Sequence, residues 1–103
     1  MFTHSHIDHF GGIEAVVDAA DVVSGAVKII APEGFLEEAT SENILAGIAM
    51  GRRASYMYGA QLERSPQGHV GTGLGKQPAQ GTFTLMEPTH LVDHTGQIMN
   101  LGG

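Results

Sequence analysis

Beyond its first ten positions the chain sets its apolar residues at helical intervals: Ile13, Val16, Val17 and Ala20 are separated by three, one and three positions. That spacing gathers side chains on one helix face, so residues 11–20 are predicted to be helical. Val27-Lys28-Ile29-Ile30 is a short β-branched run bounded by Gly25 and Pro32, the pattern of a buried strand. Pro32 to Glu38 predicts a short helix with proline in its first turn, where the missing N–H costs nothing. A longer helix is expected from Glu42 to Tyr58, with Ser41 as N-cap, Glu42 in the first turn and Gly59 at the end. Ile44, Leu45, Ile48 and Ala49 would form its buried stripe, and Arg52 and Arg53 lie where positive charge opposes the helix dipole. Ala60 to Gln80, rich in Gly, Pro, Gln and Ser, predicts a long loop. Thr82 to Met86 alternates with period two, and Leu91-Val92 and Gln97 to Asn100 are strand-like, so the last part is predicted to be β. Helices and strands interleaved in this way make the expected class α/β.

Composition narrows what such a chain does. At 103 residues with 42% apolar side chains it has the make-up of one small packed domain rather than a disordered one. A net charge of −6 with only five Lys and Arg leaves no basic stripe, which argues against nucleic acid as a partner. There is no cysteine, so any metal must be held by His and carboxylate. No apolar run reaches the roughly 20 residues of a membrane helix, and the start lacks the regions of a secretory signal. The compartment is left undetermined.

The chemistry is concentrated at the start. His4, His6, Asp8 and His9 place three imidazoles and a carboxylate within six residues, a density that packing does not explain. Neutral nitrogen with hard anionic oxygen is the mixture zinc takes when thiolate is absent. His4 and His6, two apart, share one side of an extended backbone, and a turn after them swings Asp8 and His9 to a neighbouring position. Such a geometry suits two adjacent metals sharing a bridging hydroxide. Gly11 and Gly12 fit a tight exit from a ligand loop into a helix.

From Thr3 to Gly12 the sequence is similar to the metallo-β-lactamase superfamily, whose Thr-His-x-His-x-Asp-His-x-Gly-Gly motif is matched throughout. The resemblance implies that His4 and His6 bind one metal, that Asp8 and His9 bind the second, and that Asp8 also orients the bridging water as a catalytic residue. Ser41-Glu42-Asn43, Ala46-Gly47, Ala49-Met50, the run from Arg52 to Gly59, and Gly73-Leu74-Gly75-Lys76 resemble the alkylsulfatase branch. What that branch implies is hydrolysis of linear primary alkyl sulfate esters such as dodecyl sulfate by a metal-bound hydroxide, two zinc ions in the complete site, an αββα sandwich, and a homodimer for the full-length enzyme. Residues 1–103 would then be a partial metallo-β-lactamase-like domain. The motif begins three residues from the start, and the family's remaining ligands, two glutamates and a histidine, would lie beyond the end, so the chain is expected to be a truncated piece, inactive alone. Another hydrolase of the superfamily, acting on lactone, thioester or phosphoester substrates, is the first alternative; a non-catalytic remnant is the second.

Other features carry less. The glycine run around Gly71 to Lys76 lacks the first glycine and the hydroxyl residue of a phosphate loop. His69, His90 and His94 are expected to be solvent-facing or hydrogen-bonded rather than ligands, and Glu33, Glu37, Glu38 and Glu42 to be exposed helix-start carboxylates. Arg52, Arg53, Tyr56 and Tyr58 suit an oxyanion but suit helix capping and packing better.

Overall fold

A computed structural model describes residues 1–78 and 80–101. Ala79 of the expected loop, and Gly102 and Gly103 after the last strand-like run, lie outside the described residues. The motif itself forms a 3-10 turn, Ile7–His9, and a second such turn follows at Ile13–Ala15. Helix α1, Ala19–Ser24, begins later than the apolar spacing implies. The reason is Asp18: its side chain accepts a hydrogen bond from the Ala20 N–H at 2.8 Å, the N-cap geometry that starts a helix afresh and breaks the expected 11–20 run in two. Gly25, at φ 80°, ends α1 in the left-handed conformation.

Strand β1 is Ile30–Pro32, three residues further along than the β-branched run suggests at its start. Pro32 closes the strand instead of opening a helix, a position where its missing N–H leaves no ladder bond unmade. Helix α2, Phe35–Thr40, starts after Gly34, whose φ of 79° turns the chain out of β1. No new N-cap follows. Ser41 stays in the right-handed helical region, and Ser41–Leu45 continues α2 as one widened π-helical turn. The Ala46 N–H reaches back five residues to the Ser41 carbonyl at 2.9 Å. Helix α3, Gly47–Met57, completes the run, and Gly59 with φ 65° ends it as expected.

The stripe assigned to the long helix is not buried. Ile44, Leu45 and Ile48 are 67%, 81% and 82% exposed, and Arg52, Arg53 and Tyr56 also face solvent. Of the described elements, only the widened turn makes substantial contact with α3, so the stripe has no partner to cover it. The radius of gyration, 17.1 Å, exceeds the about 13 Å of a compact domain of this length.

Strand β2, His90–Val92, pairs with β1 in parallel, with Ile30, Ala31 and Pro32 opposite His90, Leu91 and Val92. Between the strands run α2, the widened turn, α3 and the long loop, so the crossover unit of an α/β fold is present. Thr82 to Met86 and Gln97 to Asn100 are not strands among the described residues. The first still packs: the Thr84 N–H donates to the Gly11 carbonyl at 2.9 Å, and Leu85 and Met86 lie against the core.

That core is built around three phenylalanines. Phe2, Phe10 and Phe35 are 5%, 4% and 4% exposed and pack with Ile29, Ala31 and Ala39. Phe2 stacks on Phe35 with ring centroids 5.0 Å apart, while Phe10 meets Phe35 edge-on at 5.6 Å and Phe2 at 6.1 Å. The Phe2 N–H also donates to the Ile30 carbonyl at 2.7 Å, which ties the start of the chain to β1. Replacing Phe35 by alanine is expected to cost about 3 kcal/mol or more of unfolding free energy. Urea denaturation reads this directly, and an unchanged midpoint would remove Phe35 from the centre of the core.

Candidate metal centre

The loop bearing the donors is held at both ends by the aromatic core, because Phe2 precedes it and Phe10 follows it. The donors project away from that core: His4, His6, Asp8 and His9 are all exposed. Their backbone is fixed by local bonds, His9 N–H to the His6 carbonyl at 3.0 Å and Gly11 N–H to the Ile7 carbonyl at 2.8 Å. His6 is extended, with φ −67° and ψ 132°, and caps the 3-10 turn that carries Asp8 and His9. The turn inferred from the spacing is present at Ile7–His9, but the backbone before it is extended at His6 only and bends at His4 and Ser5, so it is not the straight run expected there.

The three rings gather around His4. Its ring centroid is 4.7 Å from that of His6 and 4.2 Å from that of His9. Thr3 Oγ1 lies 3.0 Å from His4 Nδ1, which leaves Nε2 of that ring as the free nitrogen. Asp8 Oδ2 is 3.5 Å from His9 Nε2. Among the described residues no three His, Asp or Glu side chains are grouped so as to hold one metal ion in their present rotamers. The donor types nevertheless fit zinc, being imidazole nitrogens and one carboxylate with no thiolate to compete. The side chains are open to solvent, 58% exposed at His6, 73% at Asp8 and 49% at His9.

Three contacts from a distant segment reach this loop. Ser5 Oγ donates to Glu42 Oε2 at 2.9 Å, Glu42 Oε1 lies 3.3 Å from His6 Nε2, and Asn43 Nδ2 donates to the Ser5 carbonyl at 3.0 Å. Asn43 Nδ2 also donates to the Ala39 carbonyl at 2.8 Å, so one amide joins the loop to α2. Glu42 is thus not the exposed helix-start carboxylate expected from the sequence: its side chain is 23% exposed and faces the motif. The signal available was the run Ser41-Glu42-Asn43, but its partner lies 37 residues away. His69, His90 and His94 do not approach the motif: His90 begins β2, His94 contacts Asp93, and His69 belongs to the long loop. A surface groove beside α2, lined by Phe35, Leu36, Thr40, Leu45, Pro88 and Leu91 among others, includes no residue of the motif.

The two glycines after the donors differ. A Cβ at Gly11 would sit 2.8 Å from the Ile7 carbonyl and 2.9 Å from Phe83 Cβ, closer than real contacts allow, whereas one at Gly12 meets nothing within 4 Å. Only Gly11 is required by space.

Comparison with known proteins adds the family and its reach. Residues 1–101 match the sequence model described as the metallo-beta-lactamase superfamily. A linear primary-alkylsulfatase of Pseudomonas sp. is 52% identical over 103 residues, covering 100% of this chain and 15% of the relative. The alkyl/aryl-sulfatase BDS1 of Saccharomyces cerevisiae is 48% identical over the same length, covering 100% of this chain and 16% of the relative. A solved structure of a double mutant of the sec-alkyl sulfatase PisA1 superposes with a TM-score of 0.77 at 51% identity, over 90% of this chain and 15% of that one. The chain therefore spans about 15% of the length of the proteins it resembles.

Gly11→Ala is expected to lower stability by about 1–3 kcal/mol through the forced shift of the Ile7 carbonyl or Phe83. Gly12→Ala should stay within about 0.5 kcal/mol. Thermal melts of the two variants side by side decide the matter, and equal losses would contradict the distinction.

Proposed function

The chain belongs to the metallo-beta-lactamase superfamily, and from that premise we propose that it carries part of the metal centre of a hydrolase acting on linear primary alkyl sulfate esters. The observation that carries this reading is its identity of 52% to a linear primary-alkylsulfatase along its whole length. The superposition on a sec-alkyl sulfatase over 90% of this chain supports the broader class, hydrolysis of alkyl sulfate esters. Membership of this superfamily makes a metal cofactor the coarse expectation; zinc, in two ions, is the finer proposal, supported by the donor types.

In this proposal His4 and His6 hold one ion, and Asp8 with His9 holds the second. Bound zinc supplies a Lewis acid and a nucleophile available at neutral pH. The residues of the chain do the rest by position. His4 would offer the Nε2 lone pair in the tautomer whose Nδ1–H donates to Thr3 Oγ1. Asp8, on the turn beside His9, would accept a hydrogen bond from the attacking water and so orient it. Phe2 and Phe10 anchor the two ends of the loop in the core. These four donors supply about half of the eight positions that two tetrahedral ions require. The alkyl sulfate is a small-molecule substrate, and a homodimer remains the expectation for the whole enzyme.

The test is sulfate release from dodecyl sulfate by a protein in which this segment is joined to the remaining metal ligands, with metal content measured in parallel. We expect release that a chelator abolishes and zinc restores, metal content that falls in His4→Ala, and a rate lowered at least about 100-fold in Asp8→Asn. Release that persists after the metal is stripped would overturn the reading, and turnover of a lactone or thioester with no sulfate released would move the chain to another branch of the superfamily.

A further inference from the structure

The proposed centre leaves one carboxylate unexplained. Glu42 lies on the widened turn, 23% exposed, and spends both its oxygens on the donor loop: Oε2 accepts from Ser5 Oγ, and Oε1 stands 3.3 Å from His6 Nε2. Neither contact involves the other titratable groups of the loop. Asn43, the next residue, pins the Ser5 carbonyl and Ala39 together. The carboxylate thus has a partner on each oxygen, Ser5 and His6, while Asn43 ties the backbone of the loop to α2 beside it.

We propose that Glu42 is a positioning residue for His6, an inference that rests on the metal-binding role of His6 given above. A carboxylate at Nε2 favours the tautomer with the proton on that nitrogen, because only a donor is stabilised there. The lone pair is then on Nδ1, so His6 presents Nδ1 to the metal. This is the opposite of His4, whose Nδ1 is engaged by Thr3 and whose free nitrogen is Nε2. Two histidines only two residues apart thus offer different nitrogens, which lets both rings reach one ion without requiring their planes to coincide; the rings already stand at 78° to each other. Carboxylate or carbonyl partners at the outer nitrogen of a metal-bound imidazole fix its tautomer and raise its basicity, and their loss typically costs about 10- to 100-fold in metal affinity. The Ser5 hydroxyl has a subordinate part: by donating to Oε2 it orients the carboxylate whose other oxygen faces the ring.

The experiment uses the intact protein and three variants, Glu42→Gln, Glu42→Ala and Asn43→Ala. Ring ¹⁵N NMR of the metal-free protein reads the tautomer, and chelator competition reads zinc affinity. We expect His6 protonated on Nε2 in the parent, a shift toward mixed tautomers in Glu42→Ala, and zinc affinity lowered about 10- to 100-fold in that variant. Glu42→Gln keeps the shape and an acceptor oxygen, so it should restore part of the affinity. Asn43→Ala, which loosens the loop without touching the ring, should leave the tautomer of His6 as in the parent. The cobalt-substituted Glu42→Gln protein should keep the parent's d–d band positions, because no ligand has been removed. A His6 protonated on Nδ1 in the parent, zinc affinity equal in parent and Glu42→Ala, or displaced cobalt bands in Glu42→Gln would each overturn the positioning role. A parent that binds no zinc would overturn the metal centre itself, an outcome distinct from all three.

Discussion

The molecule depends on one constraint: the donor loop is clamped by aromatic rings at both ends. Phe2 and Phe10 enter the same core and meet on Phe35, and between them lie all four candidate donors. The loop carries a single large apolar side chain of its own, Ile7, which packs against the core, and each ordered residue costs about 1–2 kcal/mol of backbone entropy. Stacked and edge-on ring pairs contribute about 0.5–1.5 kcal/mol each beyond the area they bury. Placing them immediately outside the loop fixes its ends while leaving the donors in solvent, where a metal and a substrate can reach them. The remainder of the core, Ile29, Ala31 and Ala39, serves to seat Phe35 beneath the loop.

The second support comes from sequence-distant residues, and the widened turn is what delivers it. Ser41–Leu45 interrupts the regular helix at the point where Glu42 and Asn43 must face back toward Ser5 and His6. Departures of this kind occur preferentially at functional positions, because they re-aim side chains that a regular helix would point elsewhere. Here the same departure sends α3 away from the core, so the reach of Glu42 and the exposure of Ile48 have a common origin. The donor loop, the turn and α2 form one unit, joined through the Asn43 amide.

Much of the site was legible in the sequence because it is local. His4, His6, Asp8 and His9 stand out by type and spacing, and the turn that carries Asp8 and His9 falls where the spacing puts it, although the chain bends at His4 and Ser5 instead of running extended. The α/β class was also legible, and β2 falls on Leu91-Val92 as the pattern indicates. Element boundaries were not. Asp18 reads as a polar position within an apolar repeat, yet its carboxylate restarts the helix; Pro32 reads as a helix opener, yet it closes a strand. Gly12 looked equivalent to Gly11, and only the positions of Ile7 and Phe83 tell them apart. The stripe from Ile44 to Ile48 is a true amphipathic pattern, but pattern alone does not say which element covers it. Glu42 was misjudged for the deepest reason: its role arises from a contact across 37 residues, and no local rule encodes that.

The widened turn also sets how this segment tolerates change over evolutionary time. Each residue of a regular helix advances its neighbours by about 100° around the axis. Deleting one residue from Ser41–Leu45 would let α2 and α3 join as a continuous helix, and everything past the deletion would rotate by about that angle relative to α2. Substitution at the outward-facing Ile44 or Leu45 leaves the turn's length alone, so it preserves the aim of Glu42 and Asn43. Chain length here is therefore under tighter constraint than side-chain identity, the reverse of what holds for an ordinary surface connection.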